Sequence, residues 1–99
     1  MNSRKISLNE AKVWSEGVVS GKTYIDEKEF DALEVIVDGE YGDKILKVNC
    51  RMYRVEEGSG IFVLDNVEYS ANPGDLFVIY QGTHWKYAGK MKLFEVTFK

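Results

Sequence analysis

The sequence predicts an all-β barrel or sandwich with one short helix at its N-terminus, and three observations predict it. Short β-rich runs recur along the 99 residues, separated by turn signals at Asp38-Gly39, Gly42-Asp43, Asp65-Asn66, Asn72-Pro73-Gly74-Asp75 and Gly82-Thr83. The only proline, Pro73, sits in the tightest of these bends. Helical spacing occurs in a single stretch near the start, so strands must supply the core.

That stretch begins at Ser7, which with Glu10 forms a capping-box pattern. Leu8, Ala11 and Trp14 then follow at helical spacing up to a stop at Gly17. The expected helix packs Trp14 against one end or side of the barrel. Val18 to Ile25 reads as a strand, and Asp26-Glu27-Lys28-Glu29 as a solvated loop. Leu33 to Val37 is a β-rich run expected to close at the turn Asp38-Gly39. From Ile45 to Val55 no glycine or proline interrupts the chain. Alternation there puts Ile45, Lys47, Asn49, Arg51, Tyr53 and Val55 on one face, and Leu46, Val48, Cys50, Met52 and Arg54 on the other. Ile61 to Leu64 and Leu76 to Tyr80 are two further runs. The last, Lys92 to Phe98, alternates Leu93, Glu95 and Thr97 with Phe94, Val96 and Phe98, and hydrophobicity assigns the aromatic set to the interior.

Composition narrows the function classes. Hydrophobic residues at 44% and aromatics at 13% suit one compact domain spanning 1–99. No run approaches the roughly 18 to 20 apolar residues of a membrane helix, and the polar N-terminus does not read as a secretory signal. A cytoplasmic protein without a membrane partner is the expectation. The net charge of −3, with acidic and basic residues interspersed, gives no basic stripe for nucleic acid. One cysteine, Cys50, rules out an intramolecular disulfide, and one histidine, His84, leaves a cysteine–histidine zinc site without its ligands.

The glycine spacing carries a more specific signal. Gly39, Ile45, Lys47, Arg51 and Gly58 satisfy every gap of the pattern G-x5-H-x-H-x3–4-E-x6-G, over 39–58. Gly74, Tyr80, Gly82, Trp85 and Gly89 satisfy every gap of G-x5-P-x-G-x2-H-x3-N, over 74–89. These are the two motifs of the cupin family, and the chain from about Val35 to Phe98 resembles a small cupin. The resemblance implies a double-stranded β-helix, the RmlC-like jelly-roll barrel. In metal-bearing cupins the histidines and glutamate of these motifs hold a divalent ion. Here the corresponding positions are Ile45, Lys47, Arg51 and Trp85, none of them a plausible ligand, so no metal or other cofactor is expected. His84 lies one residue before the motif position, and a slip of one on a strand turns its side chain to the opposite face.

The lumen is then expected to receive Lys47 and Arg51, and a buried charge needs a partner. Two arrangements supply one. Either Glu34, Glu68 or Glu95 neutralises the cations internally, or the cations face an open mouth and take an anionic or sugar-like ligand. Tyr53, Trp85 and Tyr87 share the inward parity and either line that ligand site or fill the core. The resemblance also admits a metal-independent isomerase or epimerase of sugars or nucleotide sugars. Lys47, as a base beside Arg51, and Tyr53 are the catalytic candidates here. A third reading is a dimeric barrel with a filled lumen and no small-molecule role. Cupins commonly dimerise, so a homodimer is expected, with Lys90, Lys92 and Lys99 protecting open strand edges.

Overall fold

The computed structural model describes residues 3–99. After one 3-10 turn at Leu8–Glu10 come seven strands: β1 (Lys12–Glu16), β2 (Val19–Asp26), β3 (Phe30–Ile45), β4 (Cys50–Leu64), β5 (Val67–Ala71), β6 (Leu76–Tyr80) and β7 (His84–Phe98). All pairings are antiparallel. The order is β1-β2-β3-β7-β4-β5, with β6 on the same edge of β4 as β5 but at its opposite end. Among the described residues no helix is long and apolar enough to cross a membrane.

The expected N-terminal helix is only that single turn, where the Ser7 N–H donates to Glu10 Oε1 at 3.3 Å. Trp14 lies on β1 instead. There, opposite Gly21 of β2, it packs against the core. A helix of so few residues cannot hold itself together, whereas the Gly17 turn (φ 61°) allows β1 to pair with β2 at once.

Three long strands, β3, β4 and β7, carry the barrel, and each bends along one line. Gly39 of β3 lies opposite Gly89 of β7, and Gly89 lies opposite Gly60 of β4. A Cβ on Gly89 would sit 2.5 Å from the Ser59 carbonyl oxygen, and one on Gly60 would sit 2.2 Å from that of Ala88. Side chains are therefore excluded there on steric grounds. This crease divides the sheet. One half holds β1, β2, β6 and the adjoining ends of the long strands, and the other holds β5 and their remaining ends. The two inner faces meet: Phe77 of β6 stacks on Phe62 of the opposite half, centroids 4.1 Å apart.

Asp38-Gly39 is thus not a turn but a bend within β3. The uninterrupted run Ile45 to Val55 is broken, because Leu46–Asn49 forms a loop between β3 and β4. Backbone bonds pin that loop to the turn before β7. Leu46 N–H donates to the Thr83 carbonyl at 2.9 Å, Gly82 N–H to Leu46 at 2.9 Å, and Gln81 N–H to Asn49 at 3.1 Å.

On β7 the expected faces are exchanged. Leu93, Glu95 and Thr97 point inward and are buried, while Phe94 and Phe98 remain 37% and 39% exposed. Cross-strand partners explain the choice. Glu95 stands opposite Tyr53 and Thr97 opposite Arg51, so the polar face of β7 completes a polar lumen end. The aromatic face continues an apolar outer band. One row of it runs Ala32, Val96, Met52 and Val78; the next runs Phe30, Phe98, Cys50 and Tyr80.

Candidate functional site

One half of the lumen is sealed by aromatic rings. Tyr53 meets Phe62 and Tyr87, each at a centroid distance of 5.4 Å, and Tyr87 stacks against Trp85 at 5.8 Å. Trp85 is only 2% exposed, so it belongs to the core and leaves little ring surface for a ligand to stack on. Tyr53 and Tyr87 lie buried behind it. Burial, with Glu95 adding to it, pushes the hydroxyl pKa of both tyrosines up, so neither ionises readily.

Beyond Trp85 the lumen opens into a cavity of about 570 Å³ lined by Tyr41, Lys44, Ile45, Leu46, Lys47, Val48, Arg51 and Trp85. Three of these residues are cations and none is a carboxylate. Lys44 gets there through a β-bulge. Tyr41 faces Tyr87 and Lys44 faces Trp85, so the intervening pair Gly42-Asp43 of β3 opposes the single residue Lys86 of β7. Asp43 takes a left-handed conformation (φ 63°) and shifts the alternation by one, which brings Lys44 to the same face as Tyr41. The Lys44 ammonium donates to the Tyr41 hydroxyl at 3.2 Å and lies 4.8 Å from that ring's centroid. Lys47 stands exposed on the pinned loop, where its carbonyl accepts from the Gln81 side chain at 3.1 Å.

Arg51 forms the floor. Its Nε donates to Thr97 Oγ1 at 2.8 Å and lies 3.7 Å from Glu95 Oε2, and its guanidinium sits 5.6 Å from the Trp85 ring. Thr97 Oγ1 donates on to Glu95 at 3.2 Å. Burial works against the Arg51 charge, but Tyr53 and Glu95 outweigh it and its pKa rises, so the guanidinium stays charged. Burial lifts the Glu95 carboxyl above its ordinary range, partly offset by Arg51. Carboxylates gather on the far side of this pair. Glu16, Asp26, Asp31 and Glu95 line a separate hollow of about 270 Å³, where Lys99 bonds Asp26 at 2.7 Å. Charge is thus sorted across Arg51, with cations toward the mouth and acids behind.

Of the three expected neutralising residues, only Glu95 serves. Glu34 pairs with Lys92 on the outer surface at 3.0 Å, and Glu68 is exposed on β5. Lys47 meets no carboxylate within ion-pair distance among the described residues. The structure brings Lys47, Arg51 and Trp85 together, leaves Tyr53 and Tyr87 behind the cavity, and adds Tyr41 and Lys44. The signal for the additions is Gly42-Asp43, a dipeptide that suits a bulge as well as a turn.

The residues at the cupin metal positions do not fit a metal ion. Ile45 is apolar, Lys47 and Arg51 are cationic, and Trp85 can only donate. Among the described residues no group of three or more His, Cys, Asp or Glu side chains could hold one. His84 turns away from the lumen and places Nε2 2.7 Å from Asp43 Oδ1.

No family model matches the sequence, and no curated protein matches it. Solved structures do match. A Streptomyces protein, PAC13, solved with uridine and described as a nucleoside dehydratase, aligns at TM-score 0.85 with 19% identity over 99% of this chain and 83% of its own. An RmlC-like cupin from Shewanella frigidimarina aligns at 0.84 with 16% identity, over 97% of this chain and 91% of its own. KdgF from a Halomonas species aligns at 0.79 with 14% identity, over 99% and 96%. At such identities the likeness speaks to architecture alone. The architecture, a creased antiparallel barrel with its glycines at the bends, is the cupin fold.

Proposed function

We propose that this protein is a metal-free, small-molecule-binding cupin whose mouth takes an anionic ligand. One observation carries the reading: a cavity of about 570 Å³ with three cations in its wall and no carboxylate. Water solvates the two exposed lysines when the site is empty. An anion gains charge-assisted hydrogen bonds from Arg51 at the partly dehydrated floor. Tyr41, Ile45, Leu46 and Val48 give the ligand's organic part an apolar wall. The match to a barrel solved with uridine supports a small polar molecule as occupant. An isomerase or epimerase draws less from the geometry: Lys47 is exposed, without the burial a lysine base needs, and Tyr53 lies behind Trp85. A thermal-shift screen of carboxylates, sugar phosphates and neutral sugars tests the reading. Anions should raise Tm in wild type and not in Arg51→Met; stabilisation by neutral sugars alone would sink it.

We further propose a homodimer through the outer face of β7, β4 and β6. Its two apolar rows leave Phe98, Val78 and Tyr80 38–66% exposed, and Phe94, 37% exposed in the next row, extends this cluster of uncovered apolar side chains. Glu34 and Arg54 flank Phe94 on opposite sides, so a two-fold axis near Phe94 would set each against the other in the second copy. Sedimentation should give a dimer that Phe98→Lys converts to monomer; a monomeric wild type refutes it. The proposal places the protein in the cytoplasm, since Cys50 is unpaired and the fold draws on no disulfide.

A further inference from the structure

The charge balance of the mouth narrows the ligand, if the anion-binding reading holds. Among the described residues, Arg51 is the only one of the three wall cations with an acidic partner, Glu95 at 3.7 Å. Lys44 bonds the Tyr41 hydroxyl and lies over its ring, and neither Lys44 nor Lys47 has an acidic neighbour within ion-pair distance among the described residues. Two lysine charges are therefore left for the ligand. They reach the cavity from separate supports, Lys44 from a bulge in β3 and Lys47 from a loop held by backbone bonds to the turn before β7. A monoanionic carboxylate would balance one of these charges and leave the other uncompensated. The acids that could relieve them lie behind Arg51, in the other hollow.

We propose that the mouth is a site for the dianion of a phosphate monoester carried on a small organic group. A phosphate monoester holds close to two negative charges above its second ionisation near pH ~6, and its three terminal oxygens can accept from different directions at once. The expected arrangement puts those oxygens between Lys44, Lys47 and the guanidinium of Arg51. The ester oxygen leads to an organic part against Ile45, Leu46 and Val48. Lys44 then gives up the Tyr41 hydroxyl for the ligand, and Tyr41 keeps its ring at the rim.

Isostere pairs separate charge from shape. Phenyl phosphate and phenyl sulfate share a ring and a tetrahedral head, but only the phosphate reaches two negative charges. Titration calorimetry at pH 7.5 and low salt should find phenyl phosphate binding at least about tenfold tighter than phenyl sulfate. The gap should close toward pH 5 as the phosphate takes up its second proton. Lys44→Met and Lys47→Met should each weaken phenyl phosphate more than phenyl sulfate, shrinking the gap several-fold, while leaving the melting temperature of the ligand-free protein nearly unchanged. Equal affinity for the two esters, a gap that ignores pH, or a gap that survives both lysine variants would overturn the phosphate assignment and leave the anion site standing. Inorganic phosphate binding as tightly as phenyl phosphate would overturn the role of the organic group. Failure of both esters and of benzoate to bind would remove the anion site itself.

Discussion

The two ends of the lumen share strands β4 and β7 and behave as different materials. Past Trp85 the closed end is packed by Tyr53, Phe62, Phe77 and Tyr87, whose rings meet at 4.1 to 5.4 Å and leave no space to enter. Before Trp85 the open end holds Lys44, Lys47 and Arg51, which cannot approach one another without repulsion. Aromatic groups close a barrel because they attract across it, and like charges keep it open because they do not. The position of the cavity follows from where the rings stop.

The comparison can be destroyed at the line joining both ends. Gly89→Val places a Cβ 2.5 Å from the Ser59 carbonyl oxygen at φ +142°. Strain of ~1–3 kcal/mol and overpacking of ~1–3 kcal/mol make a loss of roughly 2–6 kcal/mol the expectation, read from the urea midpoint. A variant as stable as wild type would show that the crease tolerates side chains. Next comes the contrast itself. Phe62→Ala empties part of the sealed end and should cost about 3–5 kcal/mol, whereas Lys47→Ala at the mouth should stay within about 0.5 kcal/mol of wild type. Similar losses in the two would mean that the mouth is structural.

The smallest effect concerns pH. Burial raises the Glu95 carboxyl above its ordinary value of 4.5, so the folded protein binds that proton more tightly than the unfolded chain does. The resulting stabilisation is complete below pH 4.5 and fades as the pH climbs through the elevated folded value. Glu95→Gln should flatten that part of the Tm–pH profile. An unchanged slope would mean that Arg51 compensates the burial in full.

The sequence makes some of these features legible and hides others, for reasons that differ by residue. Gly39 and Gly89 can be read from spacing because the crease imposes a local steric demand that few residues meet. Lys47, Arg51 and Trp85 follow from the same register. Lys44 and Tyr41 do not, because Gly42-Asp43 suits a turn or a bulge equally, and pairing with distant β7 decides between them. Phe94 and Phe98 mislead for a related reason. Hydrophobicity says that a face prefers to be covered, not what covers it, and Tyr53 and Arg51 claim the inner side for Glu95 and Thr97.

The bulge at Asp43 makes the chemistry of the mouth depend on a count of residues as well as on their kinds. Paired in strict alternation, the same residues would keep Tyr41 inward but turn Asp43 into the mouth and Lys44 to solvent, while the crease at Gly39 stayed where it is. The left-handed conformations of Gly42 and Asp43, at φ 107° and 63°, thus decide whether that point of the wall carries a lysine or a carboxylate. The sign of charge that the wall presents to a ligand is therefore held by the backbone, in a bulge that keeps Lys44 in and Asp43 out.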